Sequence, residues 1–409
     1  MSTRLGADSR VLVATQAIRG GGYGFTAVIF GALLATRRVG AVTAGVLLAS
    51  MIAGSALASL AVGAVADRVG RRRTYGVFSL AIALAGLVVG LDPPLVILLV
   101  VALTGTLSTD VVDNGAATTL EQVMLAEDDV RTGHAYGWYN AWGAGAGAIG
   151  SLAAALVGLR QPHTPVHAGL FFILVPVGLL GALLARRLSP AVEAPRPRPR
   201  RVRHARPRAV RDLALLFAVD AGGGGLVTAG FLSYYVTVRY HASLFSVGWL
   251  FFAASMIQAF AVLVAPVLAR RFGLVATMVG THLPSNVLLG LVAVAPTFPL
   301  AAVMLLTRSA LSPMDVPTRQ ALVMTVVEPD ERTDAAALTN AARYTARPAA
   351  PLVAGALQHL ALGAPLVVAG IVKGGYDLAL WRWARRAGLA SSARSILASP
   401  HRTDTKEGS

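Results

Sequence analysis

Charged side chains recur inside long apolar stretches of this chain, where burial makes them costly. Arg308, Asp315 and Arg319 follow one another at helical spacing, with Ser312 between the first two, so all four lie on one face of a helix. Pro313 lies beside this face and is able to bend the helix. Inside a membrane, each such charge costs about 2.5–3.5 kcal/mol unless it is paired or hydrated. The spacing therefore predicts a polar stripe that faces a water-accessible cavity.

Four other apolar stretches carry charged or amide side chains in comparable positions. Two of these residues, Arg19 and Asp220, come shortly before runs of glycine. We expect the stripes to converge on one central cavity that binds substrate or protons. The residues assigned to this cavity are Arg19, Asp110, Asp113, Asp220, Arg308, Asp315, Asn340, Arg343 and Arg347.

Carboxylates in such a cavity are suited to proton exchange. Burial favours the protonated form of a carboxylate, and a neighbouring arginine favours the ionised form. Asp110, Asp113 and Asp315 are therefore candidates for coupling proton movement to substrate binding. Among the histidines, only His282 and His359 lie deep enough in their stretches to be considered for the same task.

The arginines of the same set suit a different task. A guanidinium binds carboxylate or phosphate groups through two parallel hydrogen bonds, so Arg308, Arg343 and Arg347 are able to hold an anionic group of a substrate. The alternative for each charge is a fixed salt bridge between helices. So many unpaired charges would exceed the stability of a folded protein, and most of them must be compensated.

Four further charges are assigned to gates or structural pairs. Glu121 and Arg319 lie toward the ends of their stretches and are interpreted as gate or interfacial residues. Lys373 and Asp377 are four residues apart on one helix, which predicts that they pair with each other and have a structural role.

The stretches that position these residues are long enough to cross a membrane. The chain has 409 residues, of which 55% are apolar and 14% charged, and its mean hydropathy is +0.63. Crossing a hydrocarbon core takes about 20 helical residues. We therefore predict an all-α membrane protein with twelve transmembrane helices, near 11–35, 39–65, 74–91, 95–124, 132–158, 166–185, 212–238, 244–269, 274–294, 298–327, 333–360 and 364–384.

A basic segment rich in proline and arginine, residues 189–211, divides these stretches into two sets of six. Its prolines block helix formation and its charges repel, so we expect an extended cytoplasmic linker that lies against anionic lipid. Without interleaved aromatic residues, nucleic-acid binding is not expected. The predicted domains are a first six-helix bundle at 1–188, a second at 212–388 and a disordered cytoplasmic tail at 389–409.

The two sets resemble each other in sequence. The segment from Leu107 to Asp113 is echoed by the segment from Leu311 to Asp315, and the same register aligns Gly70 with Gly273. Parallel repeats of six helices, related by an axis along the membrane normal, are one way in which transporters are built. The repeat therefore predicts two pseudo-symmetric bundles.

Arginines concentrate in alternate loops, which predicts that both termini are cytoplasmic and that the protein spans the inner membrane several times. Arg37 and Arg38 run against this rule. The first apolar stretch is too long for the removable core of a signal peptide, so we expect it to remain as a helix.

The loop between the second and third stretches carries the most specific signal, the pattern Gly63-x-x-x-Asp67-Arg68-x-Gly70-Arg71-Arg72. Its glycines allow a close turn, and its acidic residue is able to bond arginines or the amino terminus of a facing helix. This loop resembles the signature of the major facilitator superfamily, and the resemblance extends over essentially the whole chain. It implies a twelve-helix transporter fold and a conformational latch formed by Gly63, Asp67, Arg68, Gly70, Arg71 and Arg72.

Two of the departures from the superfamily pattern limit what the resemblance implies about latch and coupling. Arg270 stands where a second copy of the latch would have aspartate. Val111 stands four residues before Gly115, where many proton-coupled exporters have an arginine. The resemblance therefore implies a single latch and does not extend to coupling by that arginine.

The resemblance implies secondary active transport of a small organic solute, and we favour proton-coupled efflux of a drug-like compound or metabolite. Proton-coupled import of an organic anion is the first alternative, and a non-transporting receptor or scaffold is the second. The chain has no cysteine, no phosphate-binding loop and no histidine cluster at metal-ligand spacing, so we expect neither an enzyme nor a cofactor or metal site. The expected partners are a small molecule, protons and the lipid bilayer, and the expected state is a monomer.

Overall fold

The structure is a computed structural model that describes residues 5–110, 115–128, 134–160, 166–193, 208–327 and 332–389. Within these ranges the regular structure is helical and contains no strand. Eight helices of the described part are long and apolar enough to cross a membrane. The prediction of an all-α membrane protein is confirmed, and helical segments at every predicted position are compatible with twelve spans.

In its described part, the first half contains seven α-helices and a 3₁₀ turn, Ala168–Ile173, before the last of them. The helices are α1 (Ala7–Thr36), α2 (Ala41–Val69), α3 (Arg71–Gly90), α4 (Leu95–Leu103), α5 (Ala116–Asp128), α6 (His134–Arg160) and α7 (Leu174–Ala185).

The second half contains nine α-helices in its described part, with a 3₁₀ turn, Ser312–Met314, between the fifth and the sixth. They are α8 (Arg208–Gly225), α9 (Ala229–Tyr240), α10 (Leu244–Phe272), α11 (Leu274–Val292), α12 (Phe298–Leu311), α13 (Asp315–Thr325), α14 (Arg332–Ala346), α15 (Ala350–Gln358) and α16 (Ala364–Arg386).

Four of the predicted spans are broken, so their prediction as continuous helices is wrong. The breaks separate α4 from α5, α8 from α9, α12 from α13 and α14 from α15. Each break contains or adjoins a residue that disfavours a helix: Gly105 has a φ of +72°, Gly225 ends α8, and Pro313 and Pro348 lack a backbone donor. The polar stripe from Arg308 to Arg319 is consequently not a single helix face.

The cavity charges cluster at these breaks. Asp110 lies in the first break, Asp220 five residues before the second, Asp315 directly after the third and Arg347 directly after α14. Interrupted helices leave backbone N–H and C=O groups without helical partners, which membrane proteins tolerate where the backbone is buried in protein or lines a cavity. The breaks therefore mark the interior of the bundle.

The internal repeat is visible in the backbone. Gly70, between α2 and α3, has φ and ψ of 104° and 135°, and Gly273, between α10 and α11, has 92° and 158°. Each glycine N–H donates to the carbonyl four residues earlier, 3.0 Å away at Gly70 and 2.9 Å away at Gly273. The two turns share one conformation, and this φ favours glycine.

The two halves meet through glycine at one end of the bundle. We call the end where α2 meets α3 the basic end, because the arginines at 71–73, 186–187, 270–271 and 385–386 lie there. At the opposite end, a Cβ added at Gly45 would lie 2.6 Å from the Cα of Gly355. Likewise a Cβ at Gly158 would lie 2.6 Å from the N of Phe245.

Side chains of α9 add hydrogen bonds to this contact. Ser233 Oγ donates to the carbonyl of Val28 at 2.7 Å, and Tyr234 Oη donates to the carbonyl of Val39 at 3.1 Å. Both acceptors lie in the first half, on α1 and directly before α2. The opposite end is therefore closed by backbone-to-backbone approach and by hydrogen bonds to main-chain oxygens.

Replacing Gly45 with leucine is expected to separate the halves at the opposite end, because the new side chain has no space against Gly355. The chain contains no cysteine, so Ser233→Cys supplies a single thiol at a position that is fully buried. Labelling of this thiol by a water-soluble maleimide should rise several-fold in the Gly45→Leu background. The control is Gly280→Leu, where an added Cβ meets nothing within 4 Å. Equal labelling in the two backgrounds would contradict the contact.

Candidate functional site

A buried ion pair holds the centre of the first half. Arg19, on α1, donates from Nη1 to Glu121 Oε1 on α5 at 2.7 Å, and its Nη2 also contacts this carboxylate. Tyr139 Oη donates to Glu121 Oε2 at 2.6 Å, Thr15 Oγ1 donates to Oε1 at 3.0 Å, and Tyr75 Oη also donates to Oε1. Glu121 has no exposed surface and pairs with Arg19, which fits the alternative of a structural pair better than that of an interfacial residue.

Tyr75 and Tyr139 are hydroxyl partners of Glu121, and of these two Tyr75 was not singled out by the sequence reasoning. They lie on α3 and α6, so the pair joins four helices of one half. A carboxylate with several charged and hydroxyl donors is strongly compensated for its loss of water. We therefore place Arg19 and Glu121 in the framework of the first half.

The second half has its own buried cluster around Asp220. Lys373, on α16, donates from Nζ to Asp220 Oδ1, and Arg319, on α13, lies 3.5 Å from Asp220 Oδ2. Arg319 also donates to Asp315 Oδ2 at 2.6 Å. Lys373 is able to approach α8 because Gly223, on α8, has no side chain. A Cβ added at Gly223 would lie 2.7 Å from Lys373 Cγ.

The predicted pair of Lys373 with Asp377 is wrong. Lys373 pairs with Asp220, whereas Asp377 Oδ1 lies 2.8 Å from His282 Nδ1. Asn286 Nδ2 donates to Asp377 Oδ2 at 2.9 Å. A spacing of four residues permits a local pair, but here each side chain finds a partner on another helix. Of the two histidines considered for proton exchange, His282 is buried and His359 is exposed.

The order of charge is opposite in the two halves. In the first half the cation, Arg19, lies on the first span and the anion, Glu121, on the fourth. In the second half the anion, Asp220, lies on the first span and a cation, Arg319, on the fourth. The repeat therefore preserves the positions of the pair while exchanging its signs.

Among the residues that the structure describes, Asp110 and Arg347 form an ion pair between the two halves. Asp110 Oδ2, in the break between α4 and α5, lies 3.3 Å from Arg347 Nη2, beside the break between α14 and α15. The two side chains are 41% and 25% exposed, whereas those of the other two cavity pairs, Arg19–Glu121 and Asp220–Arg319, are at most 6% exposed. Asp110 and Arg347 are therefore the paired cavity charges that water reaches most easily.

Two arginines of the predicted cavity have no hydrogen-bonded acid among the described residues. Arg308 is attracted to Asp220 without a hydrogen bond to it. Arg343 is repelled by Arg319 and Arg347 and attracted by Asp220 and Asp315. The Nε atoms of both arginines are buried without a hydrogen-bond partner in the part of the chain that the structure describes.

Two further residues were assigned to the cavity, Asn340 and Asp113. Asn340 is exposed on α14, and Asp113 lies outside the described residues. The ranges described also contain no group of three or more His, Cys, Asp or Glu side chains placed to hold a metal ion.

The latch loop contacts the start of the predicted linker. Arg71 N, at the amino terminus of α3, donates to Glu193 Oε2 at 2.7 Å, and Arg71 Nη1 donates to the carbonyl of Val192 at 3.3 Å. Because Gly70 offers no capping side chain, the Glu193 carboxylate caps this helix from a distant segment. Glu193 is the only acid between residues 189 and 211, a sequence signal that the motif reasoning passed over.

The other latch residues are placed as follows. Arg72 Nη2 donates to the carbonyl of Arg186 at 3.4 Å, and Arg68 is exposed in the last turn of α2. Gly63 and Asp67 belong to α2, but the surroundings of these two residues lie outside what the structure describes, so their predicted roles are not tested. A latch contact of Asp67 with the other half stays a prediction.

Comparison with known proteins identifies the family. The sequence profile of the Major Facilitator Superfamily matches residues 12–351. An uncharacterized membrane protein of Saccharomyces cerevisiae, YJR124C, is 28% identical over 148 residues, which are 36% of this chain and 33% of that protein. The chain thus matches about a third of the length of this curated relative.

Solved transporters share the fold at low sequence identity. The nucleoside transporter NupG has a TM-score of 0.70 at 12% identity, with 93% of this chain and 99% of that chain covered. A D-xylose-proton symporter has a TM-score of 0.68 at 17% identity, covering 91% and 97%. A bacterial homologue of the iron transporter ferroportin, in an inward-facing state, has 0.67 at 15%, covering 92% and 98%.

Removing one member of the Arg19–Glu121 pair is expected to destabilise the protein by about 3–5 kcal/mol, because it leaves an unpaired buried charge. The free energy of unfolding in mixed micelles should fall in Arg19→Gln and in Glu121→Gln, and the double variant should lose less than the two single losses combined. The matched control is Arg37→Gln. The carboxylate of its partner, Asp92, is 69% exposed, so about 1 kcal/mol or less should be lost. Strictly additive losses at Arg19 and Glu121 would contradict the pairing.

Proposed function

The chain belongs to the Major Facilitator Superfamily, and on that premise we propose that it is a secondary active transporter. It moves a small organic solute across the cytoplasmic membrane by alternating access. The proposed moving bodies are a first bundle at 1–188 and a second at 212–388, joined by the linker at 189–211, with a cytoplasmic tail at 389–409.

The observation that carries this proposal is the way in which the halves meet. Contacts such as Gly45 with Gly355 bring backbones together without interlocking large side chains. Such surfaces are able to part and re-form as rigid bodies rock against each other, whereas ion pairs of the Arg19–Glu121 kind stay within one half. The structure of the contact therefore fits a carrier better than a permanently fused scaffold.

The distribution of arginines supports an orientation for this carrier. The basic end is proposed to face the cytoplasm, which places both termini there. The closed, opposite end then faces away from the cytoplasm. In this orientation the described state is one in which the solute path is shut on the outer side.

Coupling to protons is proposed to act at Asp110 and Arg347. Their pair crosses between the halves, and both side chains are partly exposed to water. Protonation of Asp110 removes its charge and weakens the pair, which favours separation of the halves at this level. One proton that moves through a potential of 100 mV supplies about 2.3 kcal/mol, enough to bias such an equilibrium. We propose proton-coupled efflux as the direction of transport.

A second candidate function is proton-coupled import of an organic anion. The observation that favours it is the pair of guanidiniums, Arg308 and Arg343, that lack a hydrogen-bonded acid among the described residues. A carboxylate or phosphate group would supply the missing acceptor.

Neutralising the bridge between the halves is expected to uncouple transport from the proton gradient. Export should protect overexpressing cells against a panel of toxic organic compounds. Asp110→Asn should abolish this protection, and so should Arg347→Gln. The exchange of both charges, Asp110→Arg with Arg347→Asp, should restore part of it, because the pair re-forms in reverse.

Expression level of each variant in the membrane provides the control, and Asp92→Asn serves as a variant with a salt bridge far from the centre. Protection that persists in Asp110→Asn would contradict the assigned coupling site. If the wild-type protein gives neither resistance nor proton-driven accumulation, the scaffold alternative replaces transport.

If the substrate is anionic, Arg308 and Arg343 are expected to bind it. Proteoliposomes with an inwardly directed proton gradient should then accumulate at least one of succinate, benzoate and glycerol 3-phosphate, with glycerol as the neutral reference. Arg308→Gln and Arg343→Gln should each reduce uptake by about tenfold or more, as expected for the loss of a charge-assisted hydrogen bond. Arg239→Gln, near the end of α9, is the matched control. Uptake that is equal for all variants would contradict this site.

A further inference from the structure

We propose that His282, between Asp377 and Asp220, forms a proton-binding site inside the second half. The three side chains lie on α11, α16 and α8, and their residues are at most 4% exposed. Its role in transport rests on the proposed proton coupling, whereas its capacity to bind a proton does not. The site is distinct from the Asp110–Arg347 bridge, and it includes residues of the last span that the sequence analysis treated as structural.

The hydrogen bonds fix one ring nitrogen of His282. Nδ1 lies 2.8 Å from Asp377 Oδ1, so a proton must lie between these two atoms. Asp377 also accepts a hydrogen bond from Asn286 Nδ2 at 2.9 Å, which stabilises its ionised form. Asn286 Nδ2 also lies 3.2 Å from His282 Nδ1. This amide nitrogen only donates, and of the two acceptors within its reach the Asp377 carboxylate is stronger than the imidazole nitrogen. We therefore assign the proton to Nδ1, which donates to Asp377.

The other ring nitrogen is left facing a carboxylate. Nε2 lies 3.8 Å from Asp220 Oδ1. In neutral His282 with Nδ1 protonated, Nε2 presents a lone pair toward this negative oxygen, which is unfavourable. When water supplies a second proton, an N–H bond forms at Nε2, and the contact becomes an attraction between imidazolium and carboxylate. The arrangement therefore favours the uptake of one proton.

The net charge of the groups around the ring also favours that proton. Three carboxylates belong to the connected cluster: Asp220, Asp315 and Asp377. Two permanent cations bond to them, Lys373 and Arg319. A protonated His282 makes the connected cluster neutral. Tyr376 packs its ring edge-on against the imidazole with a centroid distance of 5.9 Å, and it carries no charge.

Two more cations act on the cluster from a distance. Arg308 and Arg343 interact with Asp220 without bonding to it. Their field opposes a proton on His282, and a bound anion would cancel that field. By reciprocal linkage, anion binding at these arginines strengthens proton binding at His282, and a proton at His282 strengthens anion binding. A bound cation would have the opposite effect, which suits exchange of a cationic solute for a proton.

The cluster is connected to a part of the fold that is able to move. Asp220 lies near the end of α8, and Arg319 ties it to Asp315 at the start of α13. Both positions adjoin helix breaks. A change of charge at His282 therefore acts on the partners that hold two half-helices in place.

Nitrogen NMR of the imidazole rings tests this site without any substrate. The full chain is labelled with ¹⁵N-histidine and studied in lipid nanodiscs between about pH 5 and 8, the range in which histidine charge is normally measured. The signal missing from His282→Gln is expected to report a protonated Nδ1 at high pH and an imidazolium at low pH. Loss of the exposed His241 in His241→Asn should leave that signal unchanged.

Two conservative variants give further readouts. In Asp377→Asn the same signal is expected to change to the tautomer protonated at Nε2, because the acceptor for Nδ1–H is weakened. In Asp220→Asn the imidazolium signal should be lost at pH values where the wild type shows it. These variants also identify the signal if His282→Gln does not fold.

A His282 ring that stays neutral over the whole range, or that carries its proton on Nε2 in the wild type, would overturn the proposal. Failure of the transport proposal is recognised separately, by the absence of flux in a protein whose ring still titrates. Addition of succinate should extend the imidazolium form to higher pH in the wild type and not in Arg308→Gln. Extension in Arg308→Gln as well would overturn the linkage to that arginine.

Discussion

Pairing of opposite charges between helices of the same half is the constraint on which the rest of this structure depends. A hydrocarbon environment offers no water to a buried ion, so each charge needs a partner within reach. Arg19 with Glu121, and Asp220 with Lys373 and Arg319, meet this need inside their own halves. These buried charges are therefore compensated within their own halves.

A smaller set of charges is not paired within one half. Asp110 and Arg347 meet across the halves, and Arg308 and Arg343 have no bonded acid among the described residues. These groups lie on or beside interrupted helices, which is where we propose that a solute binds. The division between framework charges and exchangeable charges is what lets a membrane protein be stable and still change shape.

Features written into short stretches of sequence were predictable. The turn at Gly70 and its repeat at Gly273 follow from local backbone requirements, and the apolar length of each span follows from the thickness of a membrane. Pro313 was recognised as able to bend its span, yet the full interruption there, and the one at Pro348, depends on how neighbouring helices support the freed backbone groups.

Features that depend on which helices become neighbours were not predictable. The local rule paired Lys373 with Asp377, but α8 and α11 offer each of them a better partner. Glu193 was treated as part of a basic linker, although its carboxylate accepts a hydrogen bond from the first residue of α3 and caps that helix. His282 and His359 looked alike in sequence, and only the packing of α11 against α16 distinguishes the buried one from the exposed one.

The exchange of charge signs between the halves has an electrical consequence. In parallel repeats related by an axis along the membrane normal, a half-turn reverses any dipole that lies in the membrane plane, and exchanging the charges reverses it once more. The Arg19–Glu121 and Arg319–Asp220 pairs therefore contribute dipoles that point the same way, and Lys373 and Asp315 offset part of the second one. A dipolar molecule between the halves is expected to orient along the remaining field.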